Sequence, residues 1–238
     1  MNDEVESLGS ILGVWAHPDD EAYLMAGVMA LAADAGQRVA CVTATLGDAG
    51  ETADAERWPQ HELRAIRRKE LAGAMEILGV REHECLDLDD GTLADLDGTA
   101  QVARLSDTID RLRPDSVITF GPDGMTGHPD HQAVCAWTGE ALARSGHTAR
   151  LLQATKTAAW ADEFGDVNGE IFPPGLPPVA EPTWSRTLDD ATLERKVRAL
   201  EAHGSQTTGI IAALGRERYR EWVRLEAFQE SDVPTSLA

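Results

Sequence analysis

The sequence is poor in cysteine, in long apolar runs and in basic residues, and each shortage excludes a class of protein. Its three cysteines, Cys41, Cys85 and Cys135, form no CxxC pair, which argues against a disulfide framework and against a cysteine zinc site. We expect them to be buried free thiols in a reducing cytoplasm. No apolar run approaches the roughly 20 residues that span a bilayer. The acidic start MNDEVESLGS lacks the basic-then-apolar profile of a secretory signal.

Basic side chains are outnumbered by acidic ones. The chain has 21 lysines and arginines against 41 aspartates and glutamates, a formal charge of −20. This excess of negative charge argues against nucleic acid and against an anionic membrane surface as partners. The simplest interpretation of the acidity is a solvated surface. The sequence leaves the oligomeric state open, with a homo-oligomer among the alternatives.

Apolar residues make up 42% of the 238 residues, enough for one sizeable core. Short apolar runs bounded by turn residues indicate buried strands, and longer segments with helical spacing indicate amphipathic helices. Their alternation is typical of a parallel sheet with helices on both faces, so we predict a Rossmann-like α/β fold in a single domain, 1–238. The predicted strands are 10–16, 37–47, 83–88, 115–121 and 149–157, and the predicted helices are 21–36, 62–80, 99–114, 128–146 and 189–203.

The last third of the chain is less regular. The segment 172–182 carries five prolines and is predicted to be a stiff loop. The segment 221–228 is predicted to be either a closing strand or a helical turn.

The tripeptide His-Pro-Asp occurs twice, in GVWAHPDDEAY (13–23) and in GPDGMTGHPDHQAV (121–134). In the first copy three carboxylates follow one another, Asp19, Asp20 and Glu21, although they repel each other. Both copies follow the end of a predicted strand, and ligands of open α/β sheets bind outside the carboxyl ends of the strands. We therefore predict an active site at this edge, with a cation between the two loops.

His17, Asp20 and His131 would supply two imidazoles and one carboxylate to that cation. Three such ligands, with a fourth position left for water, are typical of catalytic zinc, although the same set also suits iron(II). Asp19, beside the ligands but not one of them, could take a proton from the water. His128 and Asp130 would form a second unit, an imidazole beside the substrate oriented by its own carboxylate.

A purely structural interpretation competes with this one. A single His-Pro-Asp is often only a turn, because proline fixes φ and aspartate caps the helix that follows. Asp19 or Asp20 could be such a cap. The other histidines have simpler explanations: His61, His83 and His147 are expected at the surface, and His203 at a helix end, where it complements the helix dipole.

The motifs AHPDDE and GHPDHQAV, with IRRKELAGAMEILGV between them, resemble those of the PIG-L or LmbE-like zinc-dependent N-deacetylases. This family includes the enzyme that removes acetate from N-acetylglucosaminyl-phosphatidylinositol and the deacetylases of mycothiol and bacillithiol synthesis. The resemblance covers nearly the whole chain, as far as KVRALEAHGSQ near its end.

By matching positions, the resemblance implies specific roles for individual residues. The family's metal ligands fall on His17, Asp20 and His131, and its general base falls on Asp19. The histidine that stabilises the oxyanion or protonates the leaving amine falls on His128, with Asp130 as its partner. Two further positions, Arg67 and Asp90, match residues that contact the substrate. Asp89 directly precedes Asp90, so the match of Asp90 is uncertain by one residue.

One position departs from some relatives, which carry a tyrosine two residues before the first histidine of the second motif. Thr126 stands there, and its hydroxyl reaches less far toward an oxyanion. The substrate pocket is expected between the loops 48–60, 89–98 and 158–183. Four aromatic residues in or near these loops could stack on a sugar or could serve packing alone: Trp58, Trp160, Phe164 and Trp184.

The resemblance implies a hydrolase that removes an N-acetyl group from a small glucosamine-type substrate, with one Zn²⁺ per chain, or Fe²⁺, as cofactor. Two alternatives stay open. One is an amidase that cleaves thiol S-conjugates with the same metal centre. The other is a module that binds a metal or a sugar without turnover, in which an unligated carboxylate at Asp19 would have no use.

Overall fold

The computed structural model describes residues 3–171 and 181–231. Seven strands form one sheet in the order β3-β2-β1-β4-β5-β7-β6. The strands are β1 (Ile11–Trp15), β2 (Val39–Thr45), β3 (Glu82–Leu88), β4 (Ser116–Phe120), β5 (Arg150–Thr155), β6 (Trp184–Thr187) and β7 (Leu225–Ser231). The α-helices are α1 (Asp3–Glu6), α2 (Asp20–Asp34), α3 (Leu63–Leu78), α4 (Thr99–Leu112), α5 (Gly124–Gly127), α6 (Pro129–Arg144), α7 (Ala158–Glu163), α8 (Gly165–Ile171), α9 (Asp190–Ala202), α10 (Gly204–Leu214) and α11 (Arg216–Trp222).

The first five strands run parallel, and β7 pairs antiparallel with both β5 and β6. Helices α2, α3 and α9 pack together, and α4 packs against α6. The predicted α/β fold with a mostly parallel sheet and helices on both faces is confirmed. Its five parallel strands and five long helices match the predicted segments to within three residues at every end. The extent 1–238 of a single domain stays a prediction.

The central strands of the sheet are apolar throughout because they are buried on both faces. Every residue of β1, β2 and β4 is buried, because helices cover both faces of the sheet. Fully buried aromatic and aliphatic side chains such as Trp15, Phe120 and Met25 fill the space between the layers. Each contributes on the order of 1.5–3 kcal/mol by leaving water.

The order of the strands reverses between β1 and β4. The chain runs from β1 outward to β2 and β3 in one direction, and from β4 to β5 in the other. The loops that follow β1 and β4 therefore diverge and leave a crevice at the carboxyl edge of the sheet, the usual ligand site of such folds. Both His-Pro-Asp loops lie at this crevice.

Several predictions about the irregular parts need correction. The segment 221–228 was predicted to be either a strand or a helical turn, and it contains both. Helix α11 ends at Trp222, and strand β7 begins at Leu225. Cys41 and Cys135 are buried as expected, but Cys85 is partly exposed. The proline-rich segment 172–182 lies mostly outside the described residues. No described helix has the length and apolar character needed to cross a membrane.

Candidate active site

A cavity of about 400 Å³ opens at the crevice between β1 and β4. Seven of the eight predicted site residues line it; the exception is Asp130, which is buried behind the wall. Those seven are His17, Asp19, Asp20, Arg67, Asp90, His128 and His131. Two His-Pro-Asp loops from different strands thus meet in one place, as their positions at strand ends predict.

Donor atoms of three residues in the two loops, with both carboxylate oxygens of Asp20 among them, form a compact triangle. His17 Nδ1 lies 3.2 Å from His131 Nε2, His131 Nε2 lies 3.4 Å from Asp20 Oδ1, and His17 Nδ1 lies 3.7 Å from Asp20 Oδ2. A tetrahedral zinc ion with bonds of 2.0–2.1 Å holds its donors about 3.3 Å apart. The separations of 3.2 and 3.4 Å match this spacing, and two imidazoles with one carboxylate are suitable ligands for zinc.

The outer hydrogen bonds of the two histidines direct one nitrogen of each ring toward the donor set. His131 Nδ1 lies 2.9 Å from the carbonyl oxygen of Gly124 and so donates to it, which leaves the lone pair on Nε2. His17 Nε2 lies 3.0 Å from Asp90 Oδ1 and 3.3 Å from Asp130 Oδ2 and donates to these carboxylates, so Nδ1 is the nitrogen that faces the donor set. In metal sites, ligating histidines are oriented by such carboxylate and carbonyl partners.

The partner of the Asp130 carboxylate differs from the prediction. Asp130 was expected to orient His128, but its carboxylate accepts hydrogen bonds from the backbone amides of Gly91 and Leu93 and faces His17 Nε2. Only the backbone amide of Asp130 reaches His128, at 3.1 Å from Nδ1. The physical reason is that Asp130 is in the first turn of α6, where its side chain turns back toward the loop after β3.

Asp90, and not Asp89, is the residue that reaches the site. Its Oδ2 accepts from the backbone amide of Ala49 and its Oδ1 faces His17, whereas Asp89 is exposed. The uncertainty of one residue is therefore resolved. Contact between Asp90 and a substrate stays a prediction.

The electrostatics show a site that holds positive charge. Burial would lower the pKa of His17, but hydrogen bonds to Asp130 and Asp90 raise it to about 10. Burial would raise the pKa of Asp90, yet the bond to His17 lowers it to about 2. Burial and the neighbouring charge of His17 lower the pKa of His131 to about 3. In the absence of a metal ion, protonated His17 thus supplies the positive charge that these carboxylates pair with, and a cation bound at Nδ1 would replace that proton.

Asp19 occupies an unusual backbone conformation. It precedes α2 with φ of 101°, in the left-handed region that a non-glycine residue seldom adopts, and its side chain makes no capping hydrogen bond. Such strain concentrates at functional sites. Its carboxylate faces Arg67, with 3.6 Å between Oδ1 and Nη2. Burial raises the pKa of Asp19 to about 7, although Arg67 opposes the shift. The alternative that Asp19 is a helix cap is not supported by these contacts.

His128 caps α6, because its Nδ1 accepts from the amide of Asp130. In the neutral ring the proton then sits on Nε2. The ring is partly exposed at the cavity and stacks on His131, with 4.8 Å between the ring centres. Burial and the charges of His17 and His131 lower its pKa. His128 is thus a neutral donor at the mouth of the site, although its nitrogen is also close enough to join His17 and His131 around a metal.

Arg67 is a buried cation. Only 3% of its surface is exposed, and its guanidinium donates to the carbonyl oxygens of Gly47 and Pro18. It therefore ties the loops after β1 and β2 together and places a cation next to Asp19. Contact with a sugar stays a prediction, although Arg67 lines the cavity.

Of the four aromatic residues considered for sugar stacking, Trp160 alone is among the described residues that line the cavity. Trp58 and Phe164 are buried, and Trp184 stacks on Phe228 at the edge of the sheet. The cavity gains other walls that the sequence did not suggest, among them Trp222, Val223, Ile210, Gln206 and Lys156. Thr126 also lines it.

The sequence also missed a support behind Asp19. His203 directly follows α9, so its expected place at a helix end is confirmed, but its ring is fully buried and its Nε2 lies 2.9 Å from Glu21 Oε1. Glu21 Oε2 accepts from the backbone amide of Asp19. The third carboxylate of the motif thus holds the strained turn in place. The one signal that could have revealed it was the improbable cluster of three acidic residues.

The fold and the site together define a class: α/β proteins with a histidine–aspartate donor set at the switch point of a parallel sheet. Comparison with known proteins identifies the family. Residues 12–142 match the model of the PIG-L family, described as GlcNAc-PI de-N-acetylase, and the chain belongs to this family. The resemblance inferred from the sequence motifs is confirmed.

Named relatives in this family are deacetylases. The chain is 33% identical to the 1D-myo-inositol 2-acetamido-2-deoxy-alpha-D-glucopyranoside deacetylase of Mycobacteroides abscessus, over 82% of this chain and 80% of that protein. It is 30% identical to a probable N-acetyl-alpha-D-glucosaminyl L-malate deacetylase 2 of Bacillus anthracis, over 92% and 93% respectively.

Solved structures share the fold. N,N'-diacetylchitobiose deacetylase from Pyrococcus horikoshii superimposes with a TM-score of 0.66 at 24% identity, over 96% of this chain and 86% of that one.

Proposed function

We propose that this protein is a metal-dependent hydrolase that removes the N-acetyl group from a small glucosamine-type substrate. One observation carries the proposal: a carboxylate on a strained backbone, Asp19, stands beside a His17–Asp20–His131 donor set in a single cavity. Deacetylase activity toward glucosamine derivatives in the relatives supports the substrate class. A binding module without turnover would have no use for Asp19.

The first group of residues at the site would hold the metal ion. A zinc ion held by His17, Asp20 and His131, or an iron(II) ion in its place, would lower the pKa of a bound water to about 7 and polarise the acyl carbonyl. Asp90 and Asp130 accept from His17 Nε2, so the proton that the metal would displace is the one on Nδ1. One ion per chain accounts for this donor set.

Asp19 acts as the general base that removes a proton from the attacking water. The nearby guanidinium of Arg67 and the amide contact to Glu21 hold its carboxylate and backbone in position. His128 donates from Nε2 to the oxygen of the tetrahedral intermediate. Protonated Asp19 then supplies the proton it has taken from water to the leaving amine, or His128 supplies it after first accepting that proton to form an imidazolium. Arg67 and Asp90 at the cavity wall bind hydroxyl groups of the sugar.

The proposal is tested with purified protein and a panel of amides, by measuring acetate and the free amine together. The panel contains N-acetylglucosaminides with different aglycones, N-acetylglucosamine itself and an S-conjugate of a cysteinyl-glucosamine thiol. We expect equal amounts of acetate and aminosugar from at least one N-acetylglucosaminide. Cleavage of the S-conjugate alone would favour the amidase, and no cleavage of any compound by metal-loaded protein would favour a binding module. The cytoplasmic location stays a prediction.

The variant His128→Ala should retain its metal and lose about 10²- to 10³-fold in turnover. The reason is that a single oxyanion donor or general acid contributes this much to a rate, whereas the His17–Asp20–His131 triangle does not depend on His128. Metal content by elemental analysis and turnover are measured on the same sample. His61→Ala, which changes an exposed histidine, is the matched control. If His128→Ala also loses the metal, His128 is a ligand and the assignment within the second loop is wrong.

A further inference from the structure

Lys156 is a buried cation at the cavity that the mechanism leaves unused. It follows β5 directly, lines the cavity, and is only 8% exposed. Its Nζ donates one hydrogen bond, at 2.6 Å, to the carbonyl oxygen of Leu225 and lies 5.2 Å from the centre of the Trp160 ring. An ammonium group has three donors, so two N–H groups remain.

A second buried lysine, Lys196, has the ion-pair partner that Lys156 lacks among the described residues. Lys196 is fully buried, pairs with Glu226 at 2.7 Å and donates to the carbonyl oxygen of Tyr23. Glu226 in turn accepts from the backbone amides of Gly27 and Val28. This carboxylate is therefore occupied, and Lys156 has no ion-pair partner in the part of the chain that the structure describes.

The register of the sheet places Lys156 at the same cavity as the donor set. Phe120 lies opposite Ala154 in the β4–β5 pair, and the Phe120 ring stacks on His131. Lys156 is two residues beyond Ala154, directly after the end of β5, and lines the same cavity as Phe120 and His131. A group bound to Lys156 would therefore lie in the same cavity as a substrate held at the donor set.

The surroundings favour an anionic ligand at this point. Burial and the charge of Lys196 lower the pKa of Lys156 to about 7, against the opposing effect of Glu226. A partner oxyanion would restore the stabilisation that the ammonium group loses on burial. The walls next to it, Trp160, Trp222 and Val223, exclude water and so strengthen a charge pair.

We propose that Lys156 binds an oxyanion, a carboxylate or a phosphate, carried by the substrate on the side of the cavity over β5. The substrate class is thus an acidic N-acetylglucosaminide and not a neutral one. This inference rests on the proposed function, since it names the substituent that its substrate carries. It assigns a specificity role to a residue outside both His-Pro-Asp loops.

Three probes that share one sugar test the proposal: N-acetyl-α-D-glucosaminyl L-malate, N-acetylglucosamine 1-phosphate and the neutral methyl N-acetyl-α-D-glucosaminide. Binding by calorimetry and kcat and KM by acetate release are measured for the wild type, Lys156→Met and Lys156→Arg. Lys69→Met, which removes the same charge from the exposed face of α3, is the matched control.

We expect the wild type to bind an acidic probe more tightly than the neutral one. Lys156→Met should weaken that probe by about 10- to 100-fold, mainly in KM, as expected for a hydrogen-bonded charge pair, and change the neutral probe less than about 2-fold. Lys156→Arg should keep most of the preference. A loss confined to the malate probe identifies a carboxylate, and one confined to the phosphate probe identifies a phosphate.

Three results would overturn the proposal. They are equal losses on all three probes, an unchanged preference in Lys156→Met, and a wild type that binds no acidic probe more tightly than the neutral one. Failure of the proposed function gives a different result, namely Lys156-dependent binding of an acidic probe in calorimetry without release of acetate by metal-loaded protein.

Discussion

The variant His131→Ala should be purified without metal and should release acetate no faster than the uncatalysed background. His131 Nε2 is 3.2 Å from His17 Nδ1 and 3.4 Å from Asp20 Oδ1, so its removal takes one corner from the donor triangle. Loss of an outer partner of a ligand costs about 10- to 100-fold in metal affinity, and we expect loss of the ligand itself to cost more.

The measurement is metal per chain by elemental analysis, with turnover on the same sample and circular dichroism to confirm folding. His147→Ala is the matched control, because His147 is a partly buried histidine that contacts the Pro114 carbonyl far from the triangle. It should keep both metal and activity. If both His131→Ala and His17→Ala retain wild-type metal content, the proposed site does not exist.

The second large effect is expected from Asp19→Asn, which should lose roughly 10²- to 10⁴-fold in turnover, about 3–5 kcal/mol of activation free energy. The substitution keeps the size of the side chain and removes the basic oxygen. Asparagine tolerates the left-handed backbone that Asp19 adopts at φ of 101°. Because the Asp19 side chain makes no capping bond, the free energy of unfolding should change little.

Turnover, metal content and urea unfolding of Asp19→Asn are compared with those of Asp20→Asn. The two variants remove the same charge from neighbouring positions, but only Asp20→Asn changes a proposed ligand. We expect Asp19→Asn to bind metal nearly normally and Asp20→Asn to bind it poorly. Near wild-type turnover in Asp19→Asn would show that its carboxylate is not the base.

The fold could be predicted as far as its elements show a clear hydrophobic period. Strands β1 and β4 are apolar throughout, and α3 and α4 carry a regular apolar stripe, so their segments were found. Helix α10 was missed: it begins at Gly204, directly after α9, and only two of its eleven residues, Ser205 and Thr207, are buried, so no apolar stripe marks it. The short strand β6 is an edge strand with alternating partial exposure. Such elements are fixed by tertiary contacts and leave little local signal.

Only part of the candidate site could be predicted from the sequence. The meeting of the two His-Pro-Asp loops could be predicted, because parallel strands bring their carboxyl ends to one edge of the sheet. The side-chain partners could not. Asp130 faces His17 instead of the neighbouring His128, and His203 pairs with Glu21 across 182 residues of sequence. Lys156 had no motif around it, and its position opposite the donor set comes only from the register of β4 and β5.

The most direct test of a metal-dependent deacetylase is the release of acetate from one N-acetylglucosaminide before chelation, after chelation and after addition of one equivalent of Zn²⁺ or Fe²⁺ per chain. The panel described above supplies the substrate, and free chelator is removed before each assay. We predict that acetate release falls to background with the metal and returns when about one ion per chain is bound. Full turnover by protein shown to contain no metal would contradict the account.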